Sequence, residues 1–259
     1  MTAGADRAIY GAGPVRELMI RRPQAIRAIW VDPARAGRST SDPVAAIVVM
    51  ARAAGIRVED RDKGALDRAT FSGGGEQARH QGVVAWVGAF AYAELDDVVA
   101  GDGKALIVAL DGVEDPRNLG AIVRSAYLLG ATGVIIPDHR AAQVTPLVTK
   151  ASAGASELLP IACVGNLVRT LEQLRELGLW RVAVHITETS QPIDTIDGTL
   201  PLCLVLGAEG TGVRPLVAKN CDFHAVIPMA DGRSAIGSFN VSVAASLALY
   251  EIQRQRSAR

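Results

Sequence analysis

Three glycine-bearing polar stretches, each following an apolar run, hold the residues of this chain best suited to chemistry. In "DGVEDPRNLGAIVRS" (111–125), Asn118 stands at the start of a helix and Arg124 less than two turns further on. An amide and a guanidinium so placed are candidates for a functional site. They read equally well as a helix N-cap and an exposed charge paired with Glu114 or Asp115. In "LVLGAEGTGVRPLV" (204–217), Gly207, Gly210 and Gly212 lie between a strand and a helix. Glycines there let a ligand approach the backbone, and the following helix offers free amides. The spacing G-x-x-G-x-G is neither a phosphate loop closed by Gly-Lys-Ser/Thr nor the dinucleotide fingerprint G-x-G-x-x-G. Glu209 would repel a pyrophosphate. It suits an adenosine ligand with a positive centre, such as S-adenosylmethionine, or else is a solvated glutamate in a glycine-rich turn. In "VIPMADGRSAIGSFNVSVA" (226–244), Ser238 and Asn240 open the last helix. Ser238 as a plain N-cap accounts for one of that pair and leaves Asn240 over.

These loops need strands and helices to aim them. "ALIVAL" (105–110), "GVIIP" (133–137), "RVAVHI" (181–186) and "LCLVLG" (202–207) are short, continuously apolar runs that read as buried strands, and a strand ending at Pro228 precedes the third loop. Between them, "NLGAIVRSAYLLG" (118–130) and "NLVRTLEQLRELG" (166–178) read as helices. Buried strands alternating with helices predict an α/β fold with a parallel sheet covered on both faces. Ligands in such sheets sit at the carboxyl ends of the strands, where all three loops lie. Towards the N-terminus, "AIRAIWVDP" (25–33) predicts a strand and "DPVAAIVVMARAAG" (42–55) a helix capped by Asp42 with Pro43 in its first turn. "IRVEDRD" (56–62) alternates like an edge strand, and Val83–Phe90 is β-rich after a hinge or loop at Gly73-Gly74-Gly75. The expected organisation is a small α/β module at 1–85, a linker at 86–103 and a larger domain at 104–259. From Val241 to Tyr250 the last helix is apolar or small on every side, which predicts burial all round.

Composition narrows the function classes. The 27 Lys/Arg and 27 Asp/Glu cancel, yet residues 1–90 carry an excess of four positive charges and the rest an excess of four negative ones. Only Lys63, Lys104, Lys150 and Lys219 are lysines. An arginine-rich N-terminal part suits bidentate contact with RNA phosphates, or reflects a coding bias alone. Apolar runs are too short for a membrane span, and the N-terminus lacks the apolar core of a signal peptide. Cys163, Cys203 and Cys221 are scattered without a C-x-x-C. That predicts core packing in a reducing cytoplasm, with neither disulfides nor a metal site.

Taken together and in order, "NLGAIVRS", "LGAEGTG" and "IPM…SFNVSVAASLALYE" closely resemble the three motifs of the SpoU (TrmH) family of RNA ribose 2'-O-methyltransferases. "KASAGASELLPI" (150–161) is similar to that family as well. "YGAGPVRELM" (10–19) and "HQGVVA" (80–85) resemble its 23S rRNA (guanosine-2'-O-)-methyltransferase subgroup, which adds a ribosomal-protein-like RNA-binding domain. The resemblance implies a SPOUT-type trefoil knot, an S-adenosylmethionine site within it, a homodimer and 23S rRNA as partner. It carries catalytic roles over to Asn118, Arg124, Glu209, Ser238 and Asn240. It carries cofactor contacts over to Leu206, Gly207, Gly210, Ile227, Pro228, Met229 and Phe239. Phe239 replaces the family's usual leucine, and the loop between "IPMA" and Ser238 is longer than usual. Other readings are an antibiotic-resistance rRNA adenosine 2'-O-methyltransferase, a non-catalytic rRNA-binding or assembly protein, and a dinucleotide-dependent oxidoreductase. The glycine spacing and Glu209 disfavour the last.

Overall fold

The computed structural model describes residues 6–36, 42–71, 79–100, 104–230 and 237–258. The triple glycine at 73–75 and most of the approach to Ser238 (231–236) lie outside them. Two compact units form. One draws on the chain up to Ala91 together with Val144–Leu158, the other on Tyr92–Gln143 and Leu159 onwards.

The first unit begins with β1 (Arg7–Tyr10), α1 (Ala12–Arg21), β2 (Ile26–Val31), a short α2 (Pro33–Ala36) and α3 (Pro43–Ala53). It continues with β3 (Arg57–Asp60), α4 (Lys63–Ala69) and β4 (Val83–Val87). The Asp42 carboxylate accepts from the Val44 amide, so α3 starts where its Asp-Pro pair predicts. The sheet runs β1-β4-β2-β3, with only the β2–β3 pair parallel, and β3 is an edge strand as its alternation predicts. One core holds Ile9, Val15, Leu18, Ile29, Ile47, Val83 and Ala85, from the strands together with α1 and α3. A smaller one joins Ala8, Tyr10 and Val84 to Leu66 of α4. The β-rich run 83–90 leaves the sheet at Val87, earlier than its composition suggests.

The second unit contains α5 (Leu95–Val99), β5 (Leu106–Asp111), α6 (Pro116–Leu128) and β6 (Gly133–Pro137). The next helix, α7 (Pro146–Ala151), belongs to the first unit. The second unit then resumes with β7 (Ile161–Val164), α8 (Leu167–Glu176), β8 (Trp180–Val184), β9 (Gln191–Pro192) and β10 (Leu202–Gly207). It closes with α9 (Pro215–Lys219), β11 (Phe223–Val226) and α10 (Val241–Ser257). Seven strands lie in the order β7-β6-β5-β10-β8-β11-β9, all parallel, as the continuous apolar runs predict. β11 ends at Val226, short of Pro228. Cys203 is fully buried, while Cys163 and Cys221 are only partly covered. Among the described residues no helix is long and apolar enough to cross a membrane.

Two expectations need correction here. Helix α10 is not buried all round: Ala245, Ala248, Leu249 and Ile252 are buried, but Val243, Leu247 and Tyr250 are exposed on a stripe at helical spacing. The many alanines and serines of "VSVAASLALYE" mask that periodicity. Its end is nonetheless tied down, since the Arg256 guanidinium donates to the carbonyls of Gly198, Lys104, Ala105 and Leu200. The second correction is that Val144–Leu158 packs with the N-terminal unit. Arg7 forms a bidentate ion pair with Glu157 at 2.7 and 2.9 Å and also donates to Thr149. Both charged side chains are about nine-tenths buried. Replacing Glu157 by alanine would strand the Arg7 charge, and a loss of about 3 kcal/mol is expected. Urea unfolding followed by tryptophan fluorescence checks it.

Candidate active site

The carboxyl ends of β8, β10 and β11 open into a cavity of about 640 Å³. Its wall is built by the loop that follows β10. Gly207 ends that strand, and a Cβ there would run into the backbone of Gly212 and Val213, so the loop folds back on its strand only because position 207 has no side chain. Ala208 and Gly212 close the turn through an isolated bridge, with the Gly212 amide donating to the Ala208 carbonyl at 2.9 Å. Gly210 and Gly212 have φ of 80° and 68°, values that glycine adopts without strain. Asp111, buried at the end of β5, anchors the far side of the loop. It accepts from the Arg214 backbone amide at 2.8 Å and from Arg214 Nε at 2.7 Å.

This loop presents Glu209 to two amides from elsewhere in the chain. Asn118 Nδ2 donates to Glu209 Oε1 at 2.9 Å. Asn240 Nδ2 donates to the same carboxylate oxygen and to Asn118 Oδ1, the latter at 3.2 Å. One residue from each of the three motifs therefore meets in a single network. The simpler readings of these side chains fall away in consequence. Asp115, not Asn118, caps α6 by accepting from the Arg117 amide at 2.7 Å. Asn118 lies inside the helix, buried, with its amide turned to Glu209. Asn240, not Ser238, caps α10: its Oδ1 accepts from the Ser242 amide and hydroxyl at 2.9 and 2.6 Å. Its amide nitrogen is left for the network.

The other candidate residues are placed less uniformly. Leu206, Gly207, Gly210, Ile227, Met229 and Phe239 line the large cavity, as do Glu209, Ser238 and Asn240. Pro228 is exposed and is not among the lining residues. Ser238 is exposed at the cavity rim. Arg124 is not drawn into the network. It projects from the exposed side of α6, with no hydrogen bond or ion pair among the described residues. A second cavity of about 340 Å³ adjoins the first and shares Ala208, Glu209, Thr211 and Val241 with it. Asn118, Glu114 and Asp115 line its other side, so Glu209 stands between the two spaces.

Sequence reasoning passed over His185. It follows β8, lines the large cavity, and its Nε2 lies 2.7 Å from Nδ1 of His224 on β11. Only the parallel β8–β11 pairing brings the two together. Burial, and then the neighbouring His224, hold the His185 imidazole below its ordinary pKa of 6.5. Asp111 was also missed as an anchor. A carboxylate closing an otherwise apolar strand is the signal that could have marked it.

The cavity suits S-adenosylmethionine. Its walls are largely apolar (Val184, Ile186, Leu206, Val213, Val226, Ile227), which fits an adenosine, and Glu209 offers a carboxylate to a cation. Exposed residues Glu209–Thr211, with Gly210 among them, allow close approach to the backbone. Among the described residues no cluster of His, Cys, Asp or Glu could hold a metal ion.

A family model for the SpoU rRNA methylase family matches residues 105–250. A second, for RNA 2'-O ribose methyltransferase substrate binding, matches residues 8–93. The 23S rRNA (guanosine-2'-O-)-methyltransferase RlmB of Pseudomonas syringae is 37% identical, over 97% of this chain and 96% of its own. The SpoU methyltransferase AviRb of Streptomyces viridochromogenes, crystallised with AdoMet, superposes with a TM-score of 0.77. It is 25% identical, with 98% of this chain and 92% of that one covered. An AdoMet-bound rRNA methyltransferase of Sinorhizobium meliloti gives a TM-score of 0.74 at 25% identity, covering 96% and 87%. An apolar cavity at the strand ends, headed by one residue from each of three motifs, and a family model spanning more than half the chain lead to one assignment. The chain belongs to the SpoU rRNA methylase family, the RNA ribose 2'-O-methyltransferases that use S-adenosylmethionine.

Proposed function

We propose that the protein methylates the ribose 2'-hydroxyl of a guanosine in 23S rRNA, acting in the cytoplasm as a homodimer. The observation that carries the site is the Asn118–Glu209–Asn240 network at the head of the cavity. The RNA target rests on the near full-length likeness to a 23S rRNA guanosine methyltransferase.

Bound S-adenosylmethionine supplies an electrophilic methyl group on a sulfonium. A ribose hydroxyl is a poor nucleophile until its proton is relieved as the new bond forms. Arg124 cannot be the base, because a guanidinium does not give up its proton in proteins. It acts instead as a two-pronged clamp on the target phosphate, lowering the effective pKa of the neighbouring hydroxyl, whose proton leaves to water as the methyl group is transferred. An exposed, unpaired guanidinium suits this role, since it keeps both prongs for RNA. Glu209 holds Asn118 and Asn240 in place and faces the cation. Ser238, at the rim, bonds the incoming ribose.

The homodimer is supported by the exposed face of α10. The exposed Val243, Leu247 and Tyr250, with Leu128 of the adjacent α6, form an apolar strip that a second copy would cover. The knotted passage of the chain around the cofactor is part of the same reading, supported by the insertion of β10 between β5 and β8.

Deleting the gene and mapping 2'-O-methylation across the rRNAs and tRNAs of the strain tests the target. One guanosine of 23S rRNA should lose its mark. Loss at an adenosine, at a tRNA site only, or nowhere would overturn the assignment.

A further inference from the structure

Among the described residues His185 is the one imidazole that lines the cavity, and the motifs do not include it. His185 lines the cavity beside the end of β10. Its ring stacks on that of His224, with centroids 4.9 Å apart and planes 28° apart, and the two share a hydrogen bond of 2.7 Å. That bond needs one ring as donor and the other as acceptor, so both rings can be neutral with opposite roles. The backbone holds the pair rigidly, since the His185 amide donates to the Ala225 carbonyl and its own carbonyl accepts from the Ser190 hydroxyl.

We propose that the His185–His224 pair tunes the cofactor site by charge. In its neutral form it accepts the cationic S-adenosylmethionine. After taking up one proton it disfavours that cation, while the demethylated product, a neutral thioether, is affected far less. The pair thereby sets the ratio of cofactor to product binding. This rests on the S-adenosylmethionine reading of the cavity.

Few other charges face the pair. β9 and the part of β10 next to His185 carry no acid or base, and β11 contributes only His224 at this level. Glu188 in the turn after β8 is exposed. Arg181 and Asp222 neutralise each other at the opposite ends of β8 and β11. Across the cavity stands Glu209. Its carboxylate faces the same cation, so wild-type pH dependence alone does not identify the histidines. Burial and the second imidazole both oppose protonation of His185.

Calorimetry of the full-length protein with S-adenosylmethionine and with S-adenosylhomocysteine, from about pH 7.5 down to about pH 5, tests the proposal. Through that range the dissociation constant of the cation should rise about tenfold more than that of the thioether. In the double variant His185→Gln, His224→Gln the difference should shrink to about twofold. Titration of the imidazole resonances by NMR gives an arm free of substitutions. By linkage, S-adenosylmethionine should lower the midpoint of the pair more than S-adenosylhomocysteine does. Parallel curves for the two ligands, a difference that survives in the double variant, or equal shifts of the midpoint would overturn the proposal. Binding of neither ligand at any pH would instead overturn the cofactor reading beneath it.

Discussion

Changing Arg124 to alanine should lower methyl transfer by about a thousandfold, with cofactor affinity held within about threefold. The side chain stands on the exposed side of α6 and lines neither cavity, so its loss removes nothing from the cofactor's surroundings. It has no protein partner among the described residues, so stability should change by less than about 0.5 kcal/mol. What the substitution removes is the charge that meets RNA as the hydroxyl attacks. Lysine at this position restores a point charge without the planar fork, and should recover only part of the rate. Single-turnover assays with RNA in excess, paired with calorimetry for the cofactor, separate these effects. Near-wild-type turnover in Arg124→Lys would contradict the two-pronged clamp.

The second large effect is expected at Glu209. Its carboxylate accepts both the Asn118 and the Asn240 amide, and among the described residues it is the only carboxylate lining the large cavity. Glu209→Ala would leave two amides without their shared acceptor and remove the negative charge. Turnover should drop about a hundredfold and S-adenosylmethionine affinity about tenfold. Glu209→Gln keeps an oxygen for the amides but not the charge. It should therefore weaken S-adenosylmethionine about tenfold while leaving S-adenosylhomocysteine within about threefold. Equal weakening of both ligands would mean that Glu209 acts by shape and hydrogen bonding alone.

Much of the second unit was legible because its signals are local. Continuous apolar runs such as "LIVAL" have one stable use, as strands buried on both faces of a parallel sheet. In the first unit an aspartate followed by proline marks the start of α3, whereas α6 begins at Pro116, two residues before the Asn118 start expected from the sequence. The three motifs could be expected to converge because all follow strand ends, and the Asn118–Glu209–Asn240 network joins them. Choosing between Ser238 and Asn240 as the cap was beyond sequence, since both residue types cap helices and they lie two positions apart. Three-dimensional pairing was beyond it too. His185 meets His224 only through the β8–β11 neighbourhood, and Asp111 meets Arg214 across 103 residues. The inclusion of Val144–Leu158 in the first unit depends on a buried Arg7–Glu157 pair 150 residues apart in the chain. The exposed stripe on α10 was hidden for a different reason: alanine and serine are at home on either side of a helix.

The central claim is the chemistry of one bond, a methyl group placed on a ribose oxygen. Its most direct test is to incubate the purified protein with methyl-labelled S-adenosylmethionine and 23S rRNA from a strain lacking the gene, then analyse the digested nucleosides by mass spectrometry. The structure and its relatives predict label in 2'-O-methylguanosine and none on any base. Label on a base, or no transfer by a protein that binds the cofactor, would contradict the account.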